Sequence, residues 1–264
     1  MTMRHPVHHP AMPQDQAHGL RRMFAATRQR FVPLVHNPYV TYGGIAMERL
    51  CAAYGERHLH TLVVDAADTA SAPHELTRVD LSACIEPLSD SVSFLAARGL
   101  PMRWLEANGS TAGFLAALAD AAPQADVVLL HGSATDLGRL FAGRKPRPVL
   151  LAADQPQSLT HAYASMKLLA QRLGVLAFDL LLAAEGEPAR MRRIAESLSG
   201  CADRFLGAAL GEWAVADPSS ADAEFLDHAL RRLAAAQLGQ ADEGAGWRHP
   251  AAHAAPVATM AHAN

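Results

Sequence analysis

The chain predicts a doubly wound α/β domain built on a mostly parallel sheet, and three observations carry the prediction. Short, nearly continuous apolar runs recur along it: TLVVDA (61–66), DVVLLH (126–131), PVLLAA (148–153) and VLAFDLLLA (175–183). Runs without polar alternation suit strands that are covered on both faces, as strands of a parallel sheet are. Segments of helical periodicity lie between them, and strands alternating with helices make the βαβ units of such a sheet. The third observation is size. With 264 residues, 50% hydrophobic and 19% charged, the chain can bury one sizeable core.

Taken in order, FVPLVHNPYVTYGGIAMERL (31–50) reads as a strand, a turn with a glycine pair, and the start of a helix. Pro33 is unusual inside a strand expected to be central, because it cannot donate to the ladder. In SLTHAYASMKLLAQRLG (158–174), Leu159, Tyr163, Met166, Leu169 and Leu173 recur at helical spacing, with Ser158 as the expected N-cap. In PARMRRIAESLS (188–199), Pro188 takes a first helical position and Met191, Ile194 and Leu198 share a face. AEFLDHALRRLAAAQLG (223–239) carries Phe225, Leu226, Ala229, Leu230 and Leu233 along one side with Arg231 and Arg232 beside it. That helix either packs on the sheet or makes a weak, reversible membrane contact. Residues 1–14 and 240–264 are Pro/His- and Ala/Gly/Pro/His-rich tails expected to be disordered. His5, His8 and His9 in the first tail have no carboxylate or cysteine at ligand spacing, so no metal site is expected there.

A formal net charge of −3 gives no general attraction to nucleic acid, and none is expected as a partner. Cys51, Cys84 and Cys201 lie far apart with no paired spacing and read as free or buried thiols. No run approaches the roughly 18 apolar residues of a membrane span, so a cytoplasmic protein is expected, at most peripheral at the inner membrane or a cell pole. In a doubly wound sheet, ligands sit beyond the carboxyl ends of the strands. The chemistry is therefore to be sought after Val35, Val64, Leu130 and Leu151.

DQPQSLTHAYASMKLLAQ (154–171) resembles a segment of the MinD/ParA family of P-loop ATPases, matching at Pro156, Ser158, Thr160, Ala162, Tyr163, Lys167, Leu168 and Leu169, with His161 where an acid is usual. CADRFLGAALGEWAVADPS (201–219) resembles the closing section of the same family, with its Arg-Phe-Leu-Gly run and Asp217-Pro218 turn. DQAHGLRRMF (15–24) resembles the DQAxxLR motif of the FlhG (FleN) branch, the MinD-like regulators of flagellar number. Asp15, Gln16, Ala17, Leu20 and Arg21 match directly, and Arg22 follows. Leu20, Met23 and Phe24 form an apolar stripe, and Asp15 at the helix start complements the helix dipole. The resemblance implies a partner-binding helix over 15–30 followed by a MinD-like domain over 31–239. It implies as partner FlhF, the flagellar GTPase of the signal-recognition-particle type, whose GTP hydrolysis the helix stimulates, with flagellar basal-body components as further candidates.

The resemblance also supplies ATP and Mg²⁺ as the family's cofactors, and here the residues depart from it. The family's loop cradles phosphates with backbone N–H groups, neutralises them with two lysines and holds Mg²⁺ with a hydroxyl. Laid on His36–Gly44, the loop puts Pro38 at the signature-lysine slot, Gly43 at the second lysine and Gly44 at the hydroxyl. The chain's lysines are Lys145 and Lys167, so no shifted register supplies one. Gly43, Gly44 and Asp65 are the expected remnants of the site. His131 stands where the family ends a strand on a metal-organising Asp, and a lone His there is ordinarily a satisfied structural residue. Asp179 lies near the slot of a base-recognising Asn, and Tyr39 and Tyr42 are expected to plug the cleft. The expectation is a flagellar regulator without ATPase activity, catalytic residues, cofactor or metal, its homodimerisation open. The alternatives are a weak or unconventional MinD/ParA-type ATPase, or a MinD-like scaffold for another positioning or secretion system.

Overall fold

The computed structural model describes residues 29–78, 80–219 and 228–239. The expectations for the two tails, for the motif Asp15–Arg22 and for 223–227 lie outside the described residues. The strands are β1 (Arg30–Val35), β2 (Thr61–Asp65), β3 (Glu86–Pro87), β4 (Val92–Ala96), β5 (Val127–Gly132), β6 (Val149–Ala152), β7 (Ala177–Ala183) and β8 (Ala209–Ala216). They form one sheet in the order β3-β4-β2-β5-β1-β6-β7-β8. Every pairing is parallel except that of the two-residue β3 on β4. The helices are α1 (Gly43–Gly55), α2 (Gly113–Ala121), α3 (Ala134–Leu140), α4 (Pro156–Leu173), α5 (Pro188–Leu206) and α6 (His228–Leu238). The fold class read from the apolar runs is the one found.

Alternate residues of each strand point to opposite faces, and both faces are covered. Leu62, Val64, Val128, Leu130, Leu150, Leu180 and Leu182 pack against Phe114 of α2, Leu137 of α3, Met166 of α4 and Leu198 of α5. Their neighbours Val63, Val127, Leu129, Val149, Leu151 and Leu181 pack against Leu50 and Tyr54 of α1 and Leu230 and Leu233 of α6. Two-sided burial is why these strands read as unbroken apolar runs. Pro33 fits because of its side of the ladder. The N–H groups of Arg30 and His36 bond Asp126 and Gly132 at the β5 edge, so even-numbered residues of β1 donate that way. The missing donor of Pro33 falls toward β6, where pairing begins only at Leu34.

Asp179 is not at a ligand-binding edge. It is the third residue of β7 and pairs in register with Val149, the first residue of β6, so it lies at the amino edge of the sheet. There it is fully buried and accepts from the Arg147 guanidinium, the Gln237 amide of α6 and the Glu212 N–H of β8. Burial pushes its carboxyl above the usual carboxylate range, against the pull of Arg147. Gly211 makes room for this network, since a side chain there would run into the Arg147 guanidinium. Counting along the sequence sets Asp179 near the family's base-recognising slot without favouring that role, and strand register assigns it to holding β7, β8 and α6 together.

The apolar side of α6 is likewise committed to the core, with Leu230, Leu233, Ala234 and Gln237 buried. Arg231 forms a two-pronged pair with Glu56 (2.7 and 2.9 Å) and Arg232 bonds Glu212 (3.1 Å). Over 228–238 the helix packs on the sheet, as the first of its two readings has it, while Phe225 and Leu226 of the expected apolar side lie outside the described residues. No described helix is long and apolar enough to cross a membrane. Cys51, Cys84 and Cys201 are free thiols, and burial pushes that of Cys51 up to about 12, which makes it inert at neutral pH.

Candidate functional site

The carboxyl ends of β2, β5 and β1 lie side by side, and their register sets Asp65 directly opposite His131. The Asp65 carboxylate accepts from His131 Nδ1 at 2.8 Å. With that nitrogen carrying the proton, His131 Nε2 is an acceptor, and His36 Nδ1 approaches it at 3.2 Å. The two rings meet edge to face, their centroids 5.0 Å apart. A continuous Asp65–His131–His36 hydrogen-bond chain thus ties three strand ends at the place where the fold offers its ligand crevice.

Each charge state follows from its surroundings. Burial pushes the Asp65 carboxyl up, but the His131 ring and the Ala67 N–H (3.2 Å) outweigh it and hold it below the usual carboxylate range. Burial, then the neighbouring His131, lowers His36 from the ordinary histidine value. Acid is therefore expected to destabilise the protein in two stages. As pH falls below about 6.5, the unfolded chain takes a proton that folded His36 resists, so stability declines. Asp65 stabilises fully above its unfolded value of ~3.9 and loses this as pH falls through its lower folded value. Urea unfolding across this range should show both stages, and His36→Gln should remove its own share of the first.

The loop leaving β1 is a tight turn rather than a wide cradle. Val40 N–H bonds the Asn37 carbonyl at 3.0 Å, with Pro38 at the second position that favours proline. Asn37 is buried and bridges two loops. Its amide nitrogen reaches the carbonyls of Leu151 and Ser158 (both 2.9 Å) and the Ser158 hydroxyl (3.0 Å), while its oxygen accepts the Tyr39 N–H (3.1 Å). Ser158 is not the N-cap expected of it. α4 begins at Pro156, whose fixed φ suits a first helical position, with Gln155 as the cap residue. Ser158 sits in the first turn with its hydroxyl turned back onto Asn37 and the Ala153 N–H.

Gly43 and Gly44 open α1 without positive φ. A side chain at Gly44 would meet nothing within 4 Å, and one at Gly43 only Val40 at 3.9 Å. The fold itself requires neither glycine. Gly44→Ala is expected to stabilise the protein by about 0.4–1 kcal/mol, read as a raised urea midpoint with unchanged slope.

Tyr39 and Tyr42 are 47% and 43% exposed and do not plug the cleft. With Thr41, Ala153–Gln155 and Ala183–Glu185 they line a recess of about 210 Å³ beyond β6 and β7. That is below the ~300 Å³ at which small-molecule pockets begin. Its charged lining is Asp154 and Glu185, and Asp154 pairs with Arg190 of α5 at 2.8 Å. Lys167 is exposed three turns into α4, and Lys145 precedes β6 at the opposite edge of the sheet. Asp136 closes on Ser133 and Arg139 at the start of α3. Among the described residues no group of three His, Cys, Asp or Glu is placed to hold a metal ion. The residues present do not fit a triphosphate with Mg²⁺: the charged groups lining the recess are carboxylates with no cation among them, and the turn after β1 is closed on itself.

Of the expected remnants, Asp65 lies in the histidine chain, and the two glycines lie at the α1 start. His36 was missed as a functional candidate. Its signal was a pair of histidines, each one step past an apolar run, which acquires meaning only when β1 and β5 are known to be neighbours.

No protein-family model matches the sequence, and no curated protein matches it. Solved structures do match. The MinD cell division protein of Aquifex aeolicus aligns at TM-score 0.56 and 10% identity, covering 80% of this chain and 98% of that one. The MinC:MinD complex of the same organism gives 0.57 and 10%, over 80% and 96%. Cobyrinic acid a,c-diamide synthase of Mycobacterium smegmatis, with bound ADP and magnesium, gives 0.55 and 15%, over 80% and 94%. At such identities the likeness speaks for architecture alone, and the architecture is that of the MinD/ParA-like P-loop NTPases.

Proposed function

We propose that this chain is a FlhG-like regulator of flagellar assembly and number that no longer turns over ATP. It acts by presenting residues 15–24 to the flagellar GTPase FlhF. The observation that supports the first half is the turn after β1, closed by Asn37 and lacking both lysines, beside strand ends tied together by Asp65, His131 and His36. Phosphoryl transfer relies almost wholly on positioning and on neutralising developing charge, and this site offers carboxylates instead. The second half rests on DQAHGLRRMF, which precedes a MinD-like fold beginning at β1. In the partner's GTP site, Arg21, Arg22 and Gln16 supply the donors that order phosphates and water, an activator given in trans. The Aquifex MinD is itself found in complex with MinC, so a protein partner suits the architecture.

The test is GTP turnover by FlhF of the same organism, with this protein titrated in and no ATP present. Stimulation that disappears on removing residues 1–24, and on the double change Asp15→Ala/Gln16→Ala, is the expected result. Stimulation only with ATP would overturn the nucleotide-free half, and no stimulation would overturn the partner. Calorimetry with millimolar ATP and Mg²⁺ is expected to register no binding heat.

A further inference from the structure

We propose that the Asp65–His131–His36 chain is a proton-operated clasp, closed while the two rings share at most one added proton and open when both rings are protonated. The proposal holds whichever partner the protein serves, since it rests on the geometry of three strand ends.

The hydrogen-bond chain has a limited set of protonation states. With both rings neutral, His36 donates from Nδ1 to His131 Nε2 and His131 donates from Nδ1 to Asp65. One added proton is accommodated by reversing the bridge. The added proton enters at His36 Nε2 and the proton on His36 Nδ1 passes to His131 Nε2, so His131 becomes an imidazolium that donates from both nitrogens, to Asp65 and to His36 Nδ1. The carboxylate favours that state, and the bridge survives. A second proton can go only to His36 Nδ1, which then faces the His131 Nε2–H. Two donors are opposed at a 3.2 Å separation, on like-charged rings 5.0 Å apart. The second proton therefore breaks the bridge.

The groups around His36 are His131 from β5, Asp65 and Asp68 from the end of β2 and the loop after it, and His161 from α4. The two carboxylates favour proton uptake; burial, His131 and His161 resist it. His36 is half-buried, so its ring can turn outward to water. It also adjoins Asn37, and through it the turn that carries Tyr39 and Tyr42. Opening the clasp therefore loosens the segment that presents two half-exposed tyrosines at the crevice.

The experiment follows amide hydrogen exchange of the full chain at His36, Tyr39 and Val40, whose N–H groups bond Gly132, the Asn37 side chain and the Asn37 carbonyl. After correction for intrinsic rates, protection at these amides is expected to drop at least ~tenfold between about pH 7.5 and pH 5, while Leu151 in β6 keeps its protection. In His36→Gln the drop is expected to vanish, because the glutamine amide can still donate to His131 and binds no proton. Protection that does not change with pH in the unaltered chain, or an equal drop in His36→Gln, would overturn the proposal. Imidazole nitrogen resonances of His36 and His131 provide a second, independent measurement. Two steps felt by both rings support the clasp, and independent single steps refute it.

Discussion

Asp179→Ala is expected to destabilise the protein by about 3 kcal/mol, the largest loss from a single side chain outside the apolar core. Removing the carboxylate leaves the Arg147 guanidinium without its counterion, and leaves the Gln237 amide and Glu212 N–H without an acceptor. Arg147 keeps some access to water, which places the figure at the lower end of the range for broken buried pairs. Because the network joins β7, β8 and α6, the urea midpoint should fall and α6 amides should lose protection first. Asp179→Asn is expected to lose less, since its amide oxygen still accepts. Equal midpoints for the alanine variant and the parent chain would show that the network contributes nothing.

Asn37 gives the second large effect, with a comparison that isolates its cause. Asn37→Ala leaves the buried carbonyls of Leu151 and Ser158 short of a donor and frees the Tyr39 N–H, a loss of about 2–3 kcal/mol. Asn37→Asp has nearly the same shape, yet is expected to be worse than alanine near pH 7. It turns a donor into an anion facing two carbonyls and a hydroxyl. The deficit of the aspartate variant should shrink as acid neutralises its carboxyl, and the alanine variant should show no such recovery. If aspartate is tolerated as well as asparagine, the donor role assigned to Asn37 is wrong.

The apolar runs announced the strands because two-sided burial leaves no polar alternation, and the runs at 126–131 and 148–153 are near the observed β5 and β6. The helix faces of α4 and α5 were equally legible, with Met166, Leu169, Met191 and Leu198 all buried. The absence of lysine before position 145 needed no structure at all. Contacts made across sheet order were hidden. Ser158 has the composition of a cap, but its hydroxyl serves Asn37, 121 positions away. His36 and His131 read as two isolated histidines because β5 enters the sheet between β2 and β1, out of chain order. The place of Asp179 was hidden as well, because a family slot counted in residues says nothing about which end of a strand it occupies.

The packing of α6 has a bearing on what that helix can do at a membrane. Inserting that helix into lipid would expose Leu50, Tyr54 and their neighbours, strip Glu56 of its arginine and withdraw Gln237 from a buried acid. Residues 228–238 therefore cannot visit a membrane and leave the rest of the molecule intact. For residues 228–238, packing on the sheet and insertion into lipid exclude one another, so membrane contact through this helix would come at the expense of the fold.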